Sequence, residues 1–404
     1  MARLLSLFTP LRAALLSALL VLPACMASSQ LAAQTGGGLG PAAEDQVTFA
    51  QITDNRPLDL SQTGSEVGFI WSGWGPRGRG DRATRGSFYY PMDRDLDKTH
   101  TMDWYKANHP DWAVYKCDKT SPAPIFVYDW GFNTPLDVTS PAVRDYVINE
   151  HIAPAIAEGR RVIALDNVSL NNDSNRCGVW RDGQWVQLYS GEKQDPKYTE
   201  AVFDYLGWLS REIHARGGML ALNAKVNFVS PEQTQRLVAL GDVWLEEAAF
   251  TRNCQNRVTD DYWNTKFKLS RWAAERMPWI DSDKSCASPA ALDADEAQWI
   301  VGNFLLMRGS RSYLSVIHDG DGKGVISYPA ALNPPVGKPS GEPFAIEGGG
   351  WARKYERGLV VVNPSSKAGL RYDLPAGEWT DAGGQPVSGE LALAPASARV
   401  LIAR

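Results

Sequence analysis

The sequence predicts an α/β fold, a (β/α)8 TIM barrel followed by a small antiparallel β-domain. From residue 66 to 335, short apolar runs alternate with amphipathic helical stretches. Eight such runs occur, the number that a barrel requires. From residue 336 to 404 the pattern changes to short strands separated by turns, which is typical of an antiparallel sheet. An open doubly wound sheet is the alternative, but no glycine-rich phosphate loop follows the first run.

The eight predicted strands are short, and several lack the polar alternation of a half-exposed strand, which favours a sheet buried on both faces. They are VGFIWSGW (67–74), WAVYKC (112–117), PLDV (135–138), VIALD (162–166), MLALNAKV (219–226), DVWLEEAAF (242–250), MPWIDSD (277–283) and SYLSVIHDG (312–320).

Most of the predicted helices lie between these strands. In SPAVRDYVINEHIAPAIAEG, Ser140 is the expected cap and Pro141 occupies the first helical position. The other predicted helices are KTHTMDWYKANHP, KYTEAVFDYLGWLSREIHARGG, SPEQTQRLVAL, DYWNTKFKLSRWAAER and LDADEAQWIVGNFLLMRG.

The N-terminal residues 1–25 are interpreted as a targeting segment and residues 26–65 as a tether and extension. Arg3 and Arg12 precede AALLSALLVL, which is too short to span a bilayer comfortably. The following LPAC resembles a bacterial lipobox, in which Cys25 would be lipidated, although ordinary signal cleavage is also compatible. Either way we expect export, as an outer-membrane lipoprotein or a periplasmic or extracellular protein. A lipid anchor would be the protein's contact with the membrane.

Four cysteines follow the targeting segment, and an even number in an exported chain favours two disulfides. Cys254 and Cys286 follow neighbouring predicted strands and should pair, which leaves Cys117 to pair with Cys177. No CxxC pair or histidine-rich cluster occurs, so we expect no metal site and no cofactor. A net charge of −5 gives no reason to expect nucleic acid as a partner. We expect a monomer.

Polar and aromatic residues end most of the predicted strands, and in a barrel these ends converge on one rim where the active site lies. The candidate residues at this rim are Trp71, Trp74, Asp166, Asn167, Asn223, Lys225, Glu246, Glu247, Asp281 and His318. Several carboxylates with aromatics suggest a cleft with two opposed acids, the arrangement that glycoside hydrolysis requires. The 15 tryptophans also suit a site that stacks sugar rings.

The individual assignments leave alternatives open. Asp166 with Asn167 could simply cap a turn, and Asn223 could bind a sugar hydroxyl or hold a carboxylate in place. Strand alternation directs Glu246 and Glu247 to opposite faces, so only one can face the barrel mouth. Asp281 fits either a pairing with Lys225 or a binding role.

Four segments, HPDWAVYK, PLDVTSPAVRDYV, VIALDNV and DVWLEEAAF, resemble bacterial proteins grouped as hypothetical glycosyl hydrolase family 15. More distantly, they resemble the barrel of the endo-α-1,4-polygalactosaminidases. The resemblance implies a (β/α)8 glycosidase with carboxylate catalysis. It also implies that Asp166 is the nucleophile and that the strand-six glutamate is the acid/base, with Glu246 the better match.

The sequence therefore predicts an exported glycoside hydrolase, acting with retention on a polysaccharide or oligosaccharide. The catalytic set would be Asp166 with Glu246 or Glu247. One alternative is a non-catalytic carbohydrate-binding lipoprotein on the same scaffold. Another is a different barrel hydrolase that uses Asp281 or His318 as its base.

Overall fold

The computed structural model describes most of the chain from residue 39 onward. The described residues are 39–40, 42–52, 67–71, 87–124, 127, 131–252, 256–285, 292–318 and 330–404. All of them belong to one compact unit, residues 37–404. The predicted lipidation site Cys25, the candidate Trp74 and the predicted Cys254–Cys286 pair lie outside these residues.

Eight parallel strands form the curled sheet of a (β/α)8 barrel, which confirms the predicted fold class. The strands are β1 (Phe49–Ile52), β2 (Val67–Trp71), β3 (Phe88–Pro91), β4 (Val162–Val168), β7 (Met219–Ala224), β8 (Val243–Glu247), β9 (Trp279–Ser285) and β10 (Ser312–His318). Around the sheet their order is β2-β1-β10-β9-β8-β7-β4-β3, so, apart from β2 and β3, strands of this sheet that follow one another in the chain are neighbours in it. An antiparallel hairpin of β5 (Gly178–Arg181) and β6 (Gln184–Gln187) lies in the connection after β4.

The strands are buried on both faces, and alternation divides their side chains between two cores. Along β4, Val162 and Ala164 belong to a cluster made almost entirely of barrel-strand residues, inside the sheet. Ile163 and Leu165 belong to the larger cluster that includes helix residues. Because the side-chain period of a strand is two residues, the inner face of β4 ends at Asp166.

Helices cover the outside of the sheet, at the positions that the sequence predicts. They are α1 (Met102–Asn108), α2 (Pro141–Tyr146), α3 (Ala153–Ala157), α4 (Pro196–Ala215), α5 (Pro231–Val238), α6 (Asp260–Arg276) and α7 (Ala294–Met307), with a π-helical turn (Val147–Ile152) joining α2 to α3. Asp195 and Asp293 cap α4 and α7 by accepting hydrogen bonds from backbone N–H groups of the first turn. Among the described residues, no helix has the length and apolar character that a membrane span needs.

Two of the eight predicted strands are wrong. Residues 112–117 and 135–138 are loops joined by isolated antiparallel bridges, such as Ala113 with Leu136. Both lie in the connection after β3, and they are apolar because their side chains pack into the larger core cluster, not because they enter the sheet. The strands that take their places are FAQI and FYYP, each four residues long, and the first lies in the segment predicted as an extension before residue 66.

The C-terminal region forms the predicted antiparallel β-domain. The strands are β11 (Phe344–Ile346), β12 (Gly350–Tyr355), β13 (Gly358–Asn363), β14 (Leu370–Asp373), β15 (Trp379–Thr380), β16 (Pro386–Val387), β17 (Glu390–Leu393) and β18 (Ser397–Ala403). The main sheet has the order β11-β12-β13-β18-β15-β16, and a separate pair, β14 with β17, covers a small apolar core.

Side chains of β12 satisfy the C-terminal end of α7. The Arg353 guanidinium donates to the carbonyls of Leu305, Leu306 and Arg308 at 3.2, 3.3 and 2.6 Å. The Tyr355 hydroxyl also donates to the Leu305 carbonyl, at 2.6 Å. The last carbonyls of a helix have no partner within the helix, so these bonds replace water there.

Cys117 and Cys177 form a disulfide, as the sequence predicts. It joins the connection after β3 to the segment that leads into β5.

Gly302 on α7 marks the closest approach of the helix to the C-terminal sheet. A Cβ at this position would lie 2.6 Å from the Cβ of Ala398 on β18, too close for a real contact. We therefore expect Gly302→Ala to lower the free energy of unfolding by about 1–3 kcal/mol through overpacking. Urea denaturation followed by tryptophan fluorescence measures this change.

The matched control is Gly207→Ala on α4, where the added Cβ would meet only a guanidinium nitrogen of Arg211 at 3.6 Å. Alanine favours helix more than glycine does, so this variant should keep or gain stability, by up to about 1 kcal/mol. Equal stability of the two variants would contradict the close approach of α7 and β18.

Candidate active site

Asp166 ends the inner face of β4 and accepts three hydrogen bonds. The Tyr89 hydroxyl on β3 donates to Oδ2 at 2.8 Å. The backbone N–H of Asn167 and the side-chain amide of Asn223 on β7 donate to Oδ1, each at 2.8 Å. Asn167 has a φ of 59°, a left-handed conformation that asparagine tolerates better than most residues. These contacts fix the carboxyl group of Asp166 in one orientation.

The same amide nitrogen of Asn223 also donates to Oε2 of Glu247 at 2.6 Å. Glu247 ends β8, and Val243 and Leu245 on that strand belong to the inner cluster. Asn223 therefore joins carboxylates from the ends of two strands that flank its own. Both oxygens lie within one hydrogen bond of a single nitrogen, so the two carboxyl groups are close together.

The two carboxyl groups have opposite shifts in pKa. Burial raises the pKa of Asp166, and the negative charge of Glu247 raises it further. Burial also opposes ionisation of Glu247, but the nearby Lys284 and the Asn223 hydrogen bond outweigh it, so the pKa of Glu247 is lowered. The Lys284 ammonium on β9 lies 2.9 Å from Oε1 of Glu247. The resting pair thus keeps one carboxylate charged beside a second that resists ionisation.

A pocket of about 450 Å³ opens over this pair. It lies at the ends of β4, β7 and β8, on the rim where the sequence predicts the site. Its lining consists of Asp166, Asn167, Asn223, Ala224, Lys225, Val226, Phe228, Glu246, Glu247, Ala248, Arg252 and Lys266. This volume is within the range of small-ligand sites.

Glu246 borders the pocket, but its carboxylate turns away from the barrel interior. Only 1% of its surface is exposed. Oε2 accepts from the Ser270 hydroxyl at 2.7 Å and from the indole N–H of Trp279 at 3.1 Å, while the Lys266 ammonium lies 3.2 Å from Oε1. The alternation expected for the two glutamates is present, and Glu247, not Glu246, faces Asp166 and Asn223.

Asp281 on β9 neither lines the pocket nor pairs with Lys225. It is fully buried on the outer face of the sheet, near Glu246 and Asp283, and burial with these charges raises its pKa well above the ordinary value. Lys225 pairs instead with Asp173, at 3.2 Å. Neither of the two predicted uses of Asp281 matches its position.

Two predicted site residues remain, Trp71 and His318. Trp71 is 1% exposed and belongs to the inner cluster, with its ring edge-on to Phe69, so among the described residues it offers no open stacking face. His318 ends β10, but the structure does not describe its side chain. Within the described ranges, no three His, Cys, Asp or Glu side chains are grouped as a metal site.

Sequence reasoning missed four side chains at or beside the site: Tyr89, Lys284, Phe228 and Arg252. Tyr89 lies on a strand that the sequence did not predict. Lys284 follows the predicted end of its strand by one residue. Phe228 and Arg252 lie in the connections after β7 and β8, for which strand patterns give no signal.

Comparisons with known proteins find only distant likeness. No family model matches the chain, and no curated protein matches it. An isomaltulose synthase mutant from Erwinia rhapontici is 9% identical, with a TM-score of 0.49 over 89% of this chain and 99% of that chain. An α-amylase from Malbranchea cinnamomea is 10% identical, with a TM-score of 0.45 over 91% and 96%. A type III pullulan hydrolase from Thermococcus kodakarensis is 11% identical, with a TM-score of 0.46 over 88% and 75%.

Likeness this distant does not bear on activity, and the fold assignment rests on the strand order itself. The family resemblance noted from the sequence stays a prediction.

The buried acids behind the site should make stability depend on pH. Burial raises the pKa of Asp283 to about 7, against an ordinary value of 3.8. As pH rises, the unfolded chain therefore loses the Asp283 proton at a lower pH than the folded chain does. The contribution of Asp283 to the free energy of unfolding consequently falls as pH rises from about 4 to about 7. In Asp283→Asn that fall is absent, and the amide oxygen can still accept from the N–H groups of Phe250 and Thr251.

When the pH is raised from 5 to 7.5, the free energy of unfolding of Asp283→Asn should rise relative to that of the parent by about 1 kcal/mol or more. Chemical denaturation at both pH values measures the difference. Asp204→Asn is the control, because that carboxylate is 69% exposed. A constant difference between Asp283→Asn and the parent across this range would contradict the raised pKa.

Proposed function

We propose that the protein is a glycoside hydrolase whose catalytic carboxylates are Asp166 and Glu247. The observation that carries this proposal is the amide of Asn223, which donates to both carboxylates at the floor of an open pocket. Two carboxyl groups close together in a sugar-sized cleft are what acid-assisted cleavage of a glycosidic bond requires.

Asp166 acts as the nucleophile. Its carboxyl group is held by three donors, so the attacking oxygen has a fixed position relative to the anomeric carbon. Attack forms a bond from this oxygen to the anomeric carbon as the bond to the leaving oxygen breaks. The resemblance noted from the sequence favours the same role.

Glu247 acts as the acid and then as the base. Its side chain is 38% exposed, so water can reach it for the second step. It protonates the leaving oxygen and later removes a proton from the water that cleaves the glycosyl-enzyme. In the resting pair the pKa shifts favour charge on Glu247 and a proton on Asp166, so the proposed roles require that proton to pass to Glu247 when substrate binds. Once Glu247 is protonated, its charge no longer raises the pKa of Asp166, which favours the ionised nucleophile.

The spacing of the pair favours retention in this proposal. Retaining enzymes have carboxyl groups about 5–5.5 Å apart, whereas inverting enzymes leave about 6.5–9.5 Å for a water molecule. Two oxygens bonded to one amide nitrogen, at 2.8 and 2.6 Å, fit the shorter spacing.

Asp166→Asn and Glu247→Gln should each abolish most of the turnover while the pocket keeps its shape. Loss of acid–base assistance alone costs on the order of 10²–10⁴-fold. A panel of bacterial polysaccharides with reducing-end detection measures the activity, and proton NMR of the first product reports retention or inversion.

Glu246→Gln is the matched comparison, because it makes the same chemical change one residue away on the opposite face. The folded fraction of this variant, checked by circular dichroism, should keep much more activity than Glu247→Gln. Greater loss in Glu246→Gln would move the acid/base role back to Glu246. Binding of glycans without any cleavage by the parent protein would favour the carbohydrate-binding alternative.

Lys284→Met should shift the pH dependence of kcat/KM. Lys284 is the strongest cause that lowers the pKa of Glu247, so its removal raises that pKa and lets the acid keep its proton at higher pH. The alkaline limb of the profile should therefore move to higher pH. Lys225→Met is the control, because Lys225 is a weaker cause of the same shift. Movement of the acidic limb instead would assign Glu247 as the nucleophile.

A further inference from the structure

We infer that the pocket takes an acidic glycan, with the carboxylate of one sugar bound by Arg252 beside the catalytic pair. This inference names the substrate class and rests on the proposed function for its chemistry. It depends on three features of the described residues: the charge pairing in the pocket, the geometry of Arg252, and the aromatic surface next to it.

Each lysine at or beside the pocket already has an acidic partner. Lys284 lies 2.9 Å from Glu247, Lys266 lies 3.2 Å from Glu246, and Lys225 lies 3.2 Å from Asp173. Arg252 is exposed and lines the same pocket. Among the residues that the structure describes, no carboxylate lies within ion-pair distance of its guanidinium. Arg252 therefore gives the described part of the pocket a positive charge that a ligand can bind.

The guanidinium of Arg252 lies over aromatic rings. Its central carbon is 5.3 Å from the ring centre of Tyr262 and 5.8 Å from that of Phe228. These cation–π contacts hold the guanidinium beside the pocket, and among the described residues none accepts a hydrogen bond from its N–H groups. Those N–H groups match a carboxylate, which accepts two parallel hydrogen bonds from arginine.

The backbone that carries Arg252 is anchored. The N–H groups of Phe250 and Thr251 donate to Oδ1 of the buried Asp283, at 2.9 and 2.5 Å. The Lys284 N–H donates in turn to the Thr251 carbonyl at 3.0 Å. This segment leads directly from Glu247 to Arg252, so the position of the cation is linked to that of the catalytic carboxylate.

An open aromatic surface continues from the pocket at this point. Phe228 lines the pocket, and its ring meets that of Tyr262 edge-on at 4.6 Å between ring centres. Tyr262 is 54% exposed and the neighbouring Val229 is 79% exposed. Exposed aromatic faces suit the apolar face of a sugar ring, so Tyr262 supplies a platform for the sugar whose carboxylate Arg252 binds.

A uronic acid has the required combination of a ring and a planar carboxylate. An amino sugar does not, because its ammonium group would be repelled by Arg252. The inference therefore separates this pocket from a site for cationic polymers, even though the sequence resembles the polygalactosaminidase barrel.

Binding to matched polymers tests the inference. The probes are polygalacturonate, alginate and hyaluronan, each compared with its carboxyl-reduced derivative, which keeps the sugar backbone and loses the charge. The full chain carrying Asp166→Asn is used, so that the polymers are not consumed. We expect at least one acidic polymer to bind about tenfold or more tightly than its reduced form, as measured by isothermal titration calorimetry.

Arg252→Gln, added to the same chain, should remove this preference and leave binding of the reduced polymer unchanged. Arg236→Gln is the control, because Arg236 also stacks on a ring, 3.7 Å from the centre of Phe203, but pairs with Glu200 and does not line the pocket. It should keep the preference. Tyr262→Ala should weaken both forms of the polymer.

Equal binding of acidic and reduced polymers, a preference that survives Arg252→Gln, or failure of all three acidic polymers to bind would each overturn the inference. Cleavage of a neutral glycan that depends on Asp166 and Glu247 but not on Arg252 would overturn it while leaving the proposed function intact. Binding of an acidic polymer through Arg252, without cleavage by the parent protein, would support the inference but contradict the proposed function.

Discussion

The site depends on one amide group, that of Asn223, inserted between two acids that the sheet keeps apart. Strands β4 and β8 are separated by β7, a distance of roughly 9–10 Å across the sheet. The side chain between them, Asn223, donates to the aspartate on one strand and to the glutamate on the other. Because that side chain is a neutral donor, it brings the carboxylates together without cancelling the charge of either.

Strands β8 and β9 carry different functional groups on their inner and outer faces. On the inner face, β8 and β9 supply Glu247 and its cation Lys284. On the outer face they carry Glu246, Asp281 and Asp283, all of them buried. The outer acids act indirectly, since Asp283 holds the backbone of Phe250 and Thr251, and Lys266 links Glu246 to the carbonyl of Ala248 at 3.0 Å. Buried charge behind the sheet therefore helps to fix the turn that follows Glu247.

Long periodic segments were predictable from the sequence, and short ones were not. The five barrel strands β4 and β7–β10 are short apolar runs, and the helices have apolar residues at helical spacing, so their existence followed from the pattern. The strands β1 and β3 were missed because FAQI and FYYP are four residues long and contain glutamine and proline. The loop at 112–117 was mistaken for a strand because its side chains are buried in the core, and burial alone gives an apolar sequence.

The residues at the rim of the site could be predicted from the sequence, but the direction in which each of their side chains points could not. A signal did exist: in VWLEE the barrel-filling Val243 and Leu245 share their face with Glu247, just as Val162 and Ala164 share theirs with Asp166. Trp244 and Glu246 fall on the other face, where a large indole packs against helices. The contacts of Asn223, Lys284 and Arg252 depend on which strands are neighbours and on loop paths, and no local pattern encodes them.

The bonds from Arg353 and Tyr355 to the end of α7 bear on how the chain can be divided. A fragment that stopped after the last barrel strand would remove the Arg353 and Tyr355 donors from the carbonyl oxygens of Leu305, Leu306 and Arg308 and would expose the apolar side of that helix. The C-terminal sheet is therefore part of the packing that holds the barrel together, not a separable module. We do not expect the barrel to stay folded when the C-terminal residues are deleted.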